Sequence, residues 1–174
     1  MLDLVKYIRD VPNFPKPGII FKDITPLLRS AVALRQTAEM LAKPFGDGKI
    51  DLVAGIESRG FIFGALVAKY LSAGFVPIRK AGKLPHTTIN QSYDLEYGSS
   101  TVEVHADAVE KGQRVLVVDD LLATGGTAAA ACALVRKLGG EVAGVSFVVE
   151  LSFLDGRKRL GGYDVRSLIQ VAAE

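Results

Sequence analysis

Residues 114–127 read RVLVVDDLLATGGT. A run of branched apolar residues, Val115 to Val118, stops at two adjacent carboxylates, Asp119 and Asp120, and shortly afterwards a glycine pair stands between two threonines. An unbroken apolar run of this kind predicts a strand covered on both faces, over Arg114 to Asp119, and the alanine-rich stretch from Thr127 to Leu138, closed by Gly139-Gly140, predicts a helix. Ligands of open parallel sheets bind beyond the carboxyl ends of the strands, which is where this turn lies. Ala123, Thr124, Gly125, Gly126 and Thr127 then offer backbone N–H groups and hydroxyls to an anion at the positive end of the helix, and the glycines permit close approach. The two aspartates would repel that anion, so they serve another part of the same ligand. A vicinal diol donates two hydrogen bonds, and charge-assisted bonds to a carboxylate contribute about 1.5–3 kcal/mol each. Diol acceptors beside phosphate donors describe a cradle for a ribose 5-phosphate.

Outward from this stretch, strand-like and helix-like runs alternate. Leu52 to Ile56 and Phe75 to Arg79 are predicted strands, Phe61 to Ser72 a helix between them, and Val142 to Leu151 a further long apolar run. This is the pattern of an α/β domain with a mostly parallel central sheet flanked by helices. Residues 81–100 break it: polar and rich in Gly, Pro, Ser and Thr, they are expected to form a long loop, a candidate lid over the site, followed by the alternating TVEVH. About residues 1–30, with VPNFPKPGIIFKD, read as a small accessory segment, and Thr25-Pro26 as a helix N-cap followed by proline.

At 174 residues the chain fits a single domain, residues 1–174, with a sizeable core. Lys and Arg number 21 against 19 Asp and Glu, a net charge of +2, which gives no global field for nucleic-acid or membrane binding. Anion recognition is therefore expected to be local. The single cysteine, Cys132, excludes an intrachain disulfide and reads as a small core residue; no run reaches a membrane span's ~18 apolar residues, and a cytoplasmic protein is expected. His86 and His105 lack metal-ligand spacing, and neither the triphosphate-binding P-loop nor the dinucleotide fingerprint is present.

VLVVDDLLATGGT resembles the phosphoribosyl-pyrophosphate (PRPP) motif of the type I phosphoribosyltransferases, and PNFPKPGIIFKDITPLL, GIESRGFIFG, IRKAGKLP and YDLEYG resemble, in order and spacing, the adenine phosphoribosyltransferases. The resemblance spans about residues 12–155 and implies the type I phosphoribosyltransferase fold, with an N-terminal hood over the base and a flexible catalytic loop. It implies transfer of the phosphoribosyl group from PRPP to adenine, giving AMP and pyrophosphate. Ser58 and Arg59 match the pyrophosphate loop, Arg79 and Lys83 extend that positive patch, and Glu96 matches the carboxylate that handles the purine proton. Ile20, Phe21 and Lys22 match the wall of the base pocket; the family usually has arginine where this chain has Lys22. Magnesium, carried mainly by PRPP and pyrophosphate, and a homodimer near the pyrophosphate loop and the helix from Phe61 to Ser72 are further implications. Two alternatives stay open: a phosphoribosyltransferase for another base, and a PRPP-binding regulator without catalysis.

Overall fold

The computed structural model describes residues 2–94 and 98–172. Its centre is a seven-stranded sheet containing β3 (Leu52–Ile56), β4 (Gly74–Lys80), β5 (Thr88–Asp94), β6 (Ser99–His105), β7 (Arg114–Leu122), β8 (Glu141–Leu151) and β9 (Val165–Val171), in the order β5-β6-β4-β3-β7-β8-β9. The strands from β4 to β9 in that order run parallel, while β6 and β5 are antiparallel at one edge.

The two-residue period of the central strands divides neighbouring side chains between two cores. Val115 and Val117 pack with Ala54, Ile56 and Phe147 under helix α4 (Gly126–Lys137), whose buried stripe is Ala128, Ala131, Cys132 and Val135. Leu116 and Val118 face the other way and pack with Val53 and Val148 under helix α3 (Gly60–Leu71), through Phe63 and Val67. Burial on both sides is why these strands read as continuous apolar runs. Leu27 of α1 (Thr25–Arg29) and Leu41 of α2 (Ala31–Ala42) complete the second core. A separate antiparallel pair, β1 (Arg9–Pro12) with β2 (Ile20–Asp23), lies N-terminal to them.

Three expectations need correction. Residues 81–100 are not a structureless loop: Thr88–Asp94 and Ser99–His105 form an antiparallel hairpin at the sheet edge. Its outward polar residues conceal the strand period, because only one face of an edge hairpin is covered. The central strand does not stop at Asp119 but continues to Leu122, paired there with Glu150 of β8. Helix α1 begins at Thr25 itself, which is therefore not its N-cap, and the Asp23 carboxylate just ahead of the helix accepts both the Thr25 N–H (2.9 Å) and its hydroxyl (2.8 Å).

The crossover from β8 to β9 is held by a buried carboxylate. Glu150 accepts two hydrogen bonds from Arg157 (2.7 and 2.8 Å) and one from the Ser167 hydroxyl, and Arg157 also donates to the Val165 carbonyl at 2.9 Å. Burial by itself would raise Glu150, but these bonds hold it below the ordinary glutamate value.

Candidate active site

A cleft of about 490 Å³ opens at the carboxyl ends of β3, β4 and β7, lined by Ser58, Arg59, Arg79, Lys83, Asp119 and Asp120 among others. A smaller pocket adjoins it, formed by the turn from Ala123 to Thr127 and sharing Asp119 and Thr127 with the cleft. The strand ends and the turn that the sequence singles out therefore converge.

The turn's shape depends on close backbone packing. Gly125 has φ +80°, the left-handed region, and a Cβ there would run into the Gly156 carbonyl; a Cβ on Gly156 would in turn run into the carbonyl of Ala123. Gly156 belongs to the short 3-10 turn Gly156–Leu160 in the crossover that Glu150 and Arg157 secure. The turn at 123–127 thus has a close backbone backing that a side chain at either glycine would push away. Tyr93 of β5 sits across it, its hydroxyl accepting a bond from the Thr127 hydroxyl at 3.0 Å.

Asp119 and Asp120 are in a contrasting balance. Burial raises the Asp119 carboxyl well above the ordinary aspartate value, and the charge of Asp120 adds to it. Burial raises Asp120 as well, but the Arg59 guanidinium, 2.6 Å away, opposes the shift and makes Asp120 the better holder of the charge. Gly60, first residue of α3, packs so tightly on this strand that a Cβ would lie 2.8 Å from an Asp119 carboxylate oxygen, which keeps the pyrophosphate-loop candidate and the diol candidate in register.

On the other wall, Glu57 gathers the cations. Its carboxylate accepts from Arg79 at 2.7 Å and Lys83 at 3.1 Å, and only 7% of its side chain is exposed. Burial would raise Glu57; hydrogen bonds from Arg79, Lys83 and the Lys80 N–H outweigh it and hold the group below its usual value. Two cations on one carboxylate leave the patch net positive.

The β1–β2 pair meets the cleft at Arg59, whose guanidinium carbon lies 5.4 Å from the Phe21 ring centre, within cation–π range. Phe14 packs edge-on against Phe21 at 5.2 Å between ring centres. Ile20 and Lys22 flank Phe21 on β2, but the Lys22 ammonium bonds Asp10 across the β1–β2 pair at 2.8 Å, so its charge is occupied within that pair. Glu96 lies outside the described residues.

Sequence reasoning did not single out Glu57, Gly60, Tyr93 or Gly156. Glu57 and Gly60 flank the quoted Ser58-Arg59 pair and Tyr93 opens YDLEYG, so proximity to a motif was their only local signal. Gly156 had none, since its partner lies across the fold.

A mostly parallel sheet with paired aspartates, a glycine turn leading into a helix and a cationic wall at its carboxyl edge is the arrangement of a phosphoribosyltransferase-type α/β domain. The sequence profile of the phosphoribosyl transferase domain matches residues 24–170. An adenine phosphoribosyltransferase of Thermobifida fusca is 58% identical over 166 residues, covering 95% of this chain and 94% of its own. The crystal structure of the adenine phosphoribosyltransferase of Thermoanaerobacter pseudethanolicus superposes with a TM-score of 0.94 at 55% identity, covering 97% and 98% of the two chains. That of Saccharomyces cerevisiae, solved with an imino-altritol bisphosphate and adenine, gives 0.90 at 42% identity, covering 95% and 96%. The chain belongs to the adenine phosphoribosyltransferase family.

Proposed function

We propose that this chain transfers the 5-phosphoribosyl group from PRPP to adenine, releasing AMP and pyrophosphate, and so salvages free adenine. The observation that supports it most is the cleft itself, in which one short stretch, Asp119 to Thr127, offers acceptors for a diol next to donors for a phosphate, opposite the Glu57-centred cations.

In the transfer, N9 of adenine bonds to C1′ as the bond from C1′ to pyrophosphate breaks, and the bonding pair leaves with the pyrophosphate. The N–H groups and hydroxyls of the turn hold the 5′-phosphate, and Asp119 and Asp120 receive the ribose hydroxyls. Asp120 pairs with Arg59 at 2.6 Å, so an arriving diol takes over one partner of that pair and frees the guanidinium for the pyrophosphate. Arg59, Ser58, Arg79 and Lys83 then surround the group on which negative charge develops, where preorganised donors lower the barrier most. Freeing Arg59 also uncovers the Phe21 face for the base. Main-chain groups of Ile20 and Lys22 read the purine edge, and Glu96 accepts the proton that adenine loses.

Magnesium fits this donor set only as a companion of PRPP. Among the described residues no group of three His, Cys, Asp or Glu side chains converges, so the ion would ride on PRPP and water, with Asp119 and Asp120 reaching it through the ribose hydroxyls or solvent. Bound with PRPP, the ion neutralises charge on the diphosphate. A second copy of the chain is the partner we assign to the α3 side, where Ile62, Tyr70 and Phe75 are 40%, 43% and 37% exposed. No helix among the described residues is long and apolar enough to cross a membrane, and we assign the activity to the cytoplasm.

Incubation with adenine, PRPP and magnesium should produce AMP and pyrophosphate in equal amounts. Binding of PRPP without pyrophosphate release would instead identify a regulator, and faster turnover of hypoxanthine than of adenine would identify a different base.

A further inference from the structure

Glu103, in the middle of β6, is only 5% exposed, yet it makes no ion pair with any described residue. Its partners are the chain at the foot of the hairpin. One carboxylate oxygen accepts the Lys83 N–H at 2.9 Å and the Leu84 N–H at 3.0 Å, and the other faces the Thr88 hydroxyl at 3.4 Å. Gly82, at φ +83°, turns the backbone so that successive N–H groups point at this one anion. Burial would raise the carboxyl, and the N–H groups of Leu84, Gly82 and Lys83 with the Thr88 hydroxyl hold it ionised below its usual value.

Glu103 is the cross-strand partner of Arg79, so the two share a face of the sheet, and Arg79 carries that face to the cleft wall. Lys83 is thereby gripped at three points. Its N–H is held by Glu103, its carbonyl by Arg79 at 3.3 Å, and its ammonium by Glu57 at 3.1 Å. The last of these is the one a pyrophosphate would compete for, whereas the grip on the backbone persists. Without it, a long lysine on a glycine-led turn would spread over many positions, and ordering it would have to be done at the expense of ligand binding.

We infer that Glu103 is a positioning residue for PRPP recognition: its buried carboxylate fixes the Gly82–Leu84 turn and so aims Lys83 at the pyrophosphate. The inference rests on the reading of Lys83 as a pyrophosphate ligand, and a double-mutant cycle separates the two. Lys83→Ala should raise KM for PRPP, and KM for pyrophosphate in the reverse direction, by about tenfold or more, the loss typical of a charge-assisted bond. Glu103→Ala should raise the same two constants by about tenfold while leaving AMP affinity unchanged, and the double variant should be within about twofold of Lys83→Ala alone, as for residues acting through one another. Glu103→Gln, which keeps an acceptor oxygen for both N–H groups, should return to near the parent values. If Glu103→Ala does not fold, Glu103→Asp, with its carboxylate drawn back from the turn, carries the same cycle. Multiplicative losses in the double variant, or an unchanged KM for PRPP in the Glu103 variant, would overturn the role of Glu103. No effect of Lys83→Ala itself would overturn the reading beneath it.

Discussion

Gly125→Ala isolates the backbone backing of the turn at 123–127. At φ +80° an L side chain costs about 1–2 kcal/mol for the left-handed backbone alone. The new Cβ would also overlap the Gly156 carbonyl, which belongs to a crossover fastened by Glu150 and Arg157 and has little room to yield. Overpacking of that kind adds about 1–3 kcal/mol, for a total of about 2–5 kcal/mol. In a chain of this size each kcal/mol moves the melting temperature by about 2–4 °C, so the variant should melt at least about 4 °C lower. Gly112→Ala is the matched control: its φ is +82°, but no atom lies within 4 Å of the added Cβ. It should lose only the backbone part. Because relief of the overlap displaces the N–H groups of the turn, Gly125→Ala should also weaken AMP binding by calorimetry at least about tenfold, or 1.4 kcal/mol, and Gly112→Ala should not. Equal melting losses in the two variants with AMP affinity intact in both would refute the idea that Gly156 shapes the site.

Glu96→Gln should cut turnover about a hundredfold or more while PRPP affinity stays near the parent value, and equal turnover in steady-state assays would remove the proton-accepting role. Asp119 has a raised folded-state value, so the folded protein binds more protons than the unfolded chain between the ordinary aspartate value and the raised one, and stability falls as pH rises through that window. Asp119→Asn should therefore melt higher than the parent at pH 7 without ligand, yet bind AMP more weakly; a lower ligand-free melting temperature at pH 7 would contradict the assigned shift. Lys22→Met removes an ammonium that is already bonded to Asp10, so KM for adenine and the preference for adenine over hypoxanthine should change less than about twofold. A tenfold change would mean that the side chain, not the main chain, reads the base.

The parts of the fold legible in the sequence were those whose signal is local. Burial on both faces wrote β7 and β8 as apolar runs, and Gly125 with Gly126 on one side and Gly139 on the other marked the ends of α4 to within a residue or two. The hairpin was hidden because Asn90, Gln91 and Ser92 interrupt its apolar alternation, and β9 because Arg166 and Gln170 do the same at the opposite edge. In the candidate site, the residue types were readable from chemistry and resemblance, but their partners were not. The pairing of Arg59 with Asp120 joins the end of one strand to another that follows it by some sixty positions, and Glu57 is identified as an anchor only once Arg79 and Lys83 are seen on it. Such contacts depend on strand order, which no local period encodes.

The central claim, that one cradle receives both the diol and the phosphorylated arm of a ribose, is tested most directly by a crystal structure of the protein with AMP. The account predicts the ribose hydroxyls within hydrogen-bond reach of Asp119 and Asp120, the phosphate on the N–H groups from Thr124 to Thr127, and Arg59 released from Asp120. A nucleotide bound elsewhere, or a phosphate seated on the Arg79 and Lys83 wall with the turn vacant, would contradict it.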